Sequence, residues 1–222
     1  MVPNGVSAGG AIDCVLCGTA AHPIFSEPSS RRLYLKCPHC ELHFLRPEDH
    51  LSPVDERAHY DLHQNDVHDP RYQAFVHPLY QKIVSQLQPG GSCLDFGAGP
   101  GPVLAAMLRS AGYSVELYDP FYWPDEAPLQ KTYDAVFACE VVEHFADPRA
   151  EFTKLLHRLN PGGTLSMMTL MVSAEVNFAD WYYRRDPTHV VFYTPATFAW
   201  IKDQFGFSGL TTDGHRIAVL TR

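Results

Sequence analysis

Ser92-Cys-Leu-Asp-Phe-Gly-Ala-Gly-Pro-Gly-Pro102 constrains the fold of this 222-residue chain more than any other stretch. Its apolar start reads as a short strand, and the residues from Pro102 to Arg109 read as a helix. Between them, Gly97, Gly99 and Gly101 allow positive φ and leave no Cβ where backbone must approach a ligand. Asp95 puts a carboxylate at the strand's carboxyl end, where open α/β sheets bind ligands. Such a turn alone is a weak signal; together with the elements that follow it, it points to a cofactor carrying a nucleoside.

The downstream pattern agrees. After Gly112, Val115 to Asp119 reads as a second strand, its terminal carboxylate 24 residues beyond Asp95 and suited to ribose hydroxyls. Tyr133 to Glu140 is a continuous apolar strand, as in a buried parallel sheet. Asp147-Pro148 opens a helix with a cap and a proline. That helix is expected to stop at Asn160-Pro-Gly-Gly163, before a strand from Thr164 to Met171. Thr194-Pro195 repeats the start signal for a helix ending near Gly206, and two strands follow, near 208–212 and 216–221. Strands alternating with helices define a doubly wound α/β domain.

Four of the six cysteines fall in the first 40 residues, as Cys14-Val-Leu-Cys17 and Cys37-Pro-His-Cys40 with 19 residues between the pairs. Two such pairs supply four thiolates for a closed tetrahedral zinc site. Arg32 to Lys36 reads as the return strand of a hairpin between them. A module of this size is too small to hold itself by burial, so a metal staple makes sense. The competing redox reading of Cys-Pro-His-Cys needs a helix N-terminus, and here the motif follows a strand. Cys93 and Cys139 lie in predicted strands and read as core thiols. The expected organisation is a zinc ribbon over 10–45, a linker over 46–57 and an α/β domain over 58–222, the ribbon and the domain having separate cores.

Residues 72–87 carry helical periodicity, with Pro78 expected to kink or divide the helix. His59, His63, His68 and His77 have no convincing metal spacing, but Tyr60 and His63 precede the first strand, where a lid can form. The net charge of −8 argues against a nucleic acid partner. No apolar run approaches the roughly 18 residues of a membrane span. The N-terminus lacks the basic start of a secretory signal, so a cytoplasmic protein is expected.

Leu94-Asp-Phe-Gly-Ala-Gly-Pro-Gly101, Tyr118-Asp119-Pro120, the strand from Tyr133 through Glu140-Val-Val-Glu-His144, and Leu159-Asn-Pro-Gly-Gly-Thr-Leu165 together resemble the ordered motifs of class I S-adenosylmethionine-dependent methyltransferases. The likeness covers roughly residues 58–222. It implies a seven-stranded sheet with a reversed final hairpin. It assigns the methionine moiety of S-adenosylmethionine to Asp95 and the turn of Gly97, Ala98, Gly99 and Gly101, and the ribose to Asp119. Pro120, Phe121 and Glu140 complete the cofactor contacts, with Tyr60 and His63 from the lid. A dinucleotide dehydrogenase is the competing reading, but the turn departs from G-x-G-x-x-G. Only 13 residues separate Asp119 from Tyr133, too few for the usual helix and third strand, so that edge is abbreviated. Phe121, Tyr122 and Trp123 are natural substitutes for the adenine contacts.

Glu140, Glu143, His144 and the distant His189 are similar to the cluster of metal-assisted O-methyltransferases, including the ubiquinone-biosynthesis and small-RNA 2′-O-methyltransferases. There a divalent ion such as magnesium lowers the pKa of a hydroxyl. Without a metal, His144 is the candidate general base, with His189 and Glu143 beside it. Trp181 to Asp186, with Arg184 and Arg185, reads as an acceptor pocket. The leading expectation is methyl transfer to a small molecule, at a hydroxyl oxygen or at carbon. An RNA-directed enzyme using the ribbon as a clamp, and a cofactor-binding scaffold without turnover, are the alternatives.

Overall fold

The computed structural model describes residues 12–62 and 66–222. Its larger sheet has six strands. β5 (Ser92–Phe96), β6 (Ser114–Tyr118), β7 (Tyr133–Cys139) and β8 (Leu159–Met168) run parallel, and β10 (Gly209–Thr212) and β11 (Ile217–Thr221) form the reversed hairpin. The spatial order is β10-β11-β8-β7-β5-β6. The chain steps from β5 to one neighbour, β6, and then to the other, β7, so the sheet's switch point lies at the carboxyl ends of β5 and β7. The resemblance implied seven strands. The missing one is the third, because 13 residues hold only a tight turn closed by Asp119 and Trp123 and one 3₁₀ turn, Ala127–Gln130.

Alternation along each strand builds two cores. Cys93, Ala135 and Phe137 face α2 (Pro70–Val84) and α3 (Val103–Ser110). Leu94, Phe96, Val136 and Ala138 face α4 (Pro148–His157) and α5 (Pro195–Phe205). Both faces are covered, which explains the continuous apolar strands. The start signals work as expected: Asp147 accepts from Ala150 N–H at 2.9 Å, and Thr194 and Thr197 form a capping box. Two breaker signals fail. α2 continues through Pro78, its apolar face Val76, Leu79 and Ile83 held by burial. Asn160–Gly163 does not precede the strand but bulges inside β8, between pairings of Tyr133 with Leu159 and Ala135 with Thr164.

The smaller sheet is antiparallel. β1 (Ile12–Asp13), β2 (Ala20–Ser26), β3 (Leu33–Lys36) and β4 (His43–Leu45) follow in order, and the fifth strand, β9 (Val191–Phe192), comes from the far end of the chain. Leu16, Leu35 and Phe44 share one buried cluster with Leu94, Val136 and Phe198. The expected separate cores are therefore one continuous core. The stretch expected as a linker holds a 3₁₀ turn, Pro47–Asp49, and the first half of α1 (Pro53–Tyr60), whose cap Ser52 accepts from Asp55 N–H.

Candidate active site

A cleft of about 1000 Å³ opens at the switch point. Asp95, Gly97, Ala98, Gly99, Gly101, Asp119, Pro120, Phe121 and Glu140 all line it, as does Tyr60. His63 lies outside the described residues. Gly97 and Gly99 have φ of +77° and +61°. A Cβ at Gly97 would meet the Val141 methyls at 2.6 Å, so the turn is packed against the strand end. A Cβ at Gly99 would meet nothing within 4 Å, which leaves an open cradle above bare backbone. Asp119 shapes that cradle: it accepts from the N–H groups of Gly99 (2.9 Å), Phe121 (2.8 Å) and Tyr122 (3.0 Å). Trp123 donates its indole N–H to the Gly99 carbonyl at 2.8 Å. Expected as an adenine wall, Trp123 instead braces the turn from outside the cleft, while Phe121 and Tyr122 do line it.

Burial, with Asp119 nearby and against the opposing pull of Arg109, pushes the Asp95 carboxyl up to about 8. A cationic ligand would reverse that cost. Asp95, Asp119, Glu140 and Asp186 all face the cleft, an acidic lining that suits a molecule with positive centres.

α1 crosses the mouth. Tyr60 stands edge-on to His144, with centroids 5.3 Å apart, and tilts against Phe121 at 5.8 Å. The Tyr122 hydroxyl donates to Asp61 at 2.8 Å, and His59 Nε2 lies 3.4 Å from Asp186. The helix and its C-terminal Asp61 thus touch Phe121 and Tyr122 on one wall and His144 and Asp186 on the other.

The far wall contains the imidazoles. Val142–His144 is a 3₁₀ turn after β7, entered through Glu140 at φ +53°, a left-handed conformation that aims the strand end into the cleft. His144 Nδ1 lies 3.0 Å from the Thr188 carbonyl, and His189 Nδ1 lies 2.7 Å from the Tyr183 carbonyl. Their rings are 4.8 Å apart. One donor atom each of Glu143, His144 and His189 lies within 4.8 Å of the others, compatible with a shared divalent ion. Glu140 falls outside that set. Glu143 is fully buried; Tyr183 donates its hydroxyl to one carboxylate oxygen, and the other has no partner among the described residues. Burial raises both carboxyls, Glu140 to about 8 with Glu143 adding to the push, and lowers His189.

The expected acceptor pocket divides. Tyr182, Tyr183 and Asp186 line the cleft. Arg184 and Arg185 do not: Arg184 is buried and paired with Glu27 at 2.6 Å, and Arg185 donates to the Asp180 carbonyl. Sequence reading missed Tyr183, Thr188 and Asp186 as partners of the histidines. Only their proximity to His189 in sequence hinted at it.

In the N-terminal module, Cys14 and Cys40 sulfurs lie 3.6 Å apart, Cys17 and Cys37 sulfurs 3.3 Å, and all four within 4.8 Å of one another. Zinc–thiolate bonds of about 2.3 Å require sulfurs about 3.8 Å apart, so the set fits one ion. The two turns match: Gly18 and Glu41 follow each pair at φ +75° and +59°, and the Cys37 sulfur accepts from the N–H groups of His39 and Cys40. The His39 ring turns to Trp200 instead.

The doubly wound sheet thus carries a glycine cradle, an acidic cleft at its switch point and paired imidazoles. A family profile described as "Methyltransferase domain" matches residues 68–212, well over half of the chain. The chain belongs to that family. No curated protein sequence matches it. Among solved structures, a 1,6-didemethyltoxoflavin-N1-methyltransferase of Burkholderia thailandensis, with its acceptor and S-adenosylhomocysteine bound, matches with TM-score 0.52 and 15% identity over 90% of this chain and 98% of that one. An O-methyltransferase family protein from the same species matches at 0.48 and 15%, over 67% of this chain and 56% of that one. CalO1, a calicheamicin-biosynthesis methyltransferase with S-adenosylhomocysteine bound, matches at 0.49 and 17%, over 67% and 54%. This chain spans little more than half the length of those last two. At such identities the likeness is one of fold. No helix among the described residues is long and apolar enough to cross a membrane.

Proposed function

We propose that the chain transfers the methyl group of S-adenosylmethionine to a hydroxyl oxygen of a small molecule, with His144 as general base. The His144 Nδ1 contact to the Thr188 carbonyl carries the reading. A carbonyl cannot donate, so Nδ1 holds the proton and Nε2 holds the lone pair. Asp95 and the turn from Gly97 to Gly101 would hold the methionine end of the cofactor, Asp119 and Phe121 the nucleoside, and Tyr60 would close over both. The open cradle at Gly99 and the acidic lining fit such a molecule. When bound, it supplies an electrophilic methyl carbon on a sulfonium. His144 Nε2 would take the acceptor's hydroxyl proton as that oxygen took the methyl group. The carboxyl of Glu143, with an oxygen within 4.8 Å of a ring nitrogen of His144, then faces an imidazolium rather than a neutral ring, which favours the transfer.

A second reading is supported by the convergence of Glu143, His144 and His189 and by the orphan oxygen of Glu143. These three side chains would hold a divalent ion such as magnesium, with the acceptor completing its shell. In this class the cluster would be that of the ubiquinone-biosynthesis group. The two readings separate on chelation: a base mechanism keeps its rate in EDTA, and a metal mechanism loses it. The test is methyl-labelled S-adenosylmethionine offered to a panel of hydroxylated small molecules, wild type against His144→Ala, with and without chelator. Label transferred equally by both proteins would refute a role for His144.

The four cysteines, in our reading, hold one structural zinc, with residues 10–45 as the ribbon, 46–57 as connector and 58–222 as the transferase. Four thiolates on zinc would suit a reducing compartment, which supports a cytoplasmic reading. The charge of −8 speaks against an RNA acceptor.

A further inference from the structure

Both imidazoles of the cleft are tethered to one short segment, His189 to the Tyr183 carbonyl and His144 to the Thr188 carbonyl. The positions of those carbonyls decide which ring nitrogen carries the lone pair. The segment itself is held from outside the α/β domain. Arg184, 3% exposed, donates to Glu27 at 2.6 Å and to the carbonyls of Phe178 and Ala179. Its guanidinium lies 4.4 Å over the Phe25 ring and 5.1 Å over Tyr34. Arg32 donates to the Pro187 carbonyl at 2.9 Å. Leu45 N–H donates to the Val190 carbonyl at 2.8 Å, and the β4–β9 ladder begins there. Phe25, Glu27, Arg32, Tyr34 and Leu45 all belong to the cysteine-bearing module.

We infer that the N-terminal module backs the acceptor-side wall of the cleft from behind, and that Arg184 and Arg32 are positioning residues holding the segment whose carbonyls set the tautomers of His189 and His144. The inference rests on the proposed function, in which these histidines face the acceptor. A buried ion pair adds little net stability over an apolar contact, but it fixes geometry. Arg184 does so one residue from the carbonyl that receives His189. Arg32 does so one residue from the carbonyl that receives His144.

The test is long-range ¹H–¹⁵N correlation of the full chain labelled with ¹⁵N-histidine, at a pH where both rings are neutral. Wild type should show the Nδ1–H tautomer for both. Glu27→Gln and Arg184→Met should mix in the Nε2–H tautomer at His189, and Arg32→Met should do so at His144. S-adenosylhomocysteine affinity, by calorimetry, should change by less than about threefold in each, because its cradle is remote from the module. Should Arg184→Met fail to fold, Glu27→Gln and Arg32→Met, each removing one partner at the margin, decide the matter. Folded variants with both tautomers unchanged would overturn the inference, and so would loss of folding in all three. Failure of the methyltransferase reading is distinguishable: wild type itself would not bind S-adenosylhomocysteine.

Discussion

Asp119 accepts the backbone N–H of Gly99 at 2.9 Å, joining the end of the second parallel strand to the glycine turn after the first. The same carboxylate caps Phe121 and Tyr122. The residue expected to touch ribose therefore also builds the surface on which a nucleoside would lie. Asp119→Ala should destabilise the ligand-free protein by about 1–3 kcal/mol as well as weaken binding. Denaturant unfolding without ligand checks this. Unchanged stability would confine Asp119 to ligand contact.

Gly97 and Gly99 should respond differently to alanine. At Gly97 the methyl collides with Val141, and φ is +77°. Overpacking there should cost roughly 1–3 kcal/mol of stability. At Gly99 the methyl enters open space, so only the left-handed φ of +61° costs stability, about 1 kcal/mol, while cofactor affinity falls by about tenfold or more. Paired thermal melts and calorimetric titrations distinguish the two. Unchanged affinity in the Gly99→Ala protein would show that the Gly99 cradle is not a ligand surface.

Asp95 should give ligand binding in the cleft a pH dependence. Its folded-state pKa of about 8 exceeds the unfolded value of about 3.9, so the ligand-free fold holds a proton the unfolded chain does not. That contribution to stability is present at low pH and fades as pH rises from about 4 towards about 8. An ammonium group bound at Asp95 favours the ionised form and expels the proton. S-adenosylhomocysteine affinity should therefore rise with pH up to about 8, with proton release seen by calorimetry in buffers of different ionisation enthalpy. Affinity independent of pH, with no proton released, would remove Asp95 from the ligand's ammonium.

Metal removal should reach beyond the ribbon. Elemental analysis should find one zinc per chain. Because Leu16, Leu35 and Phe44 share a core with Val136 and Phe198, stripping the zinc should lower a single thermal transition of the whole chain. A two-step melt with an unchanged second step would mean that the cores behave independently.

Much of this was legible locally. The glycine turn, the strand-end carboxylates and the two capped helices are short-range signals, each dictated by φ, a cap or a period. The shortened edge showed in the 13 residues between Asp119 and Tyr133. What stayed hidden was long-range. Glu27 and Arg184 stand 157 positions apart, and no periodicity announces their pairing. β9 is two residues long and gains its identity from β4. Pro78 reads as a breaker, yet burial of Val76, Leu79 and Ile83 outweighs the lost hydrogen bond.

His144 should separate chemistry from binding. His144→Gln should reduce methyl transfer by about 10²–10⁴-fold, the usual span for a general base, while cofactor affinity stays within about threefold. Parallel losses in both would make the imidazole a structural group.

The most direct measurement is a crystal structure of the full chain with S-adenosylhomocysteine. The methionine end should lie on Asp95 and the turn from Gly97 to Gly101, the ribose at Asp119, and the sulfur should face His144 across the cleft. Ligand bound elsewhere, or a cleft left empty at saturating ligand, would contradict the assignment.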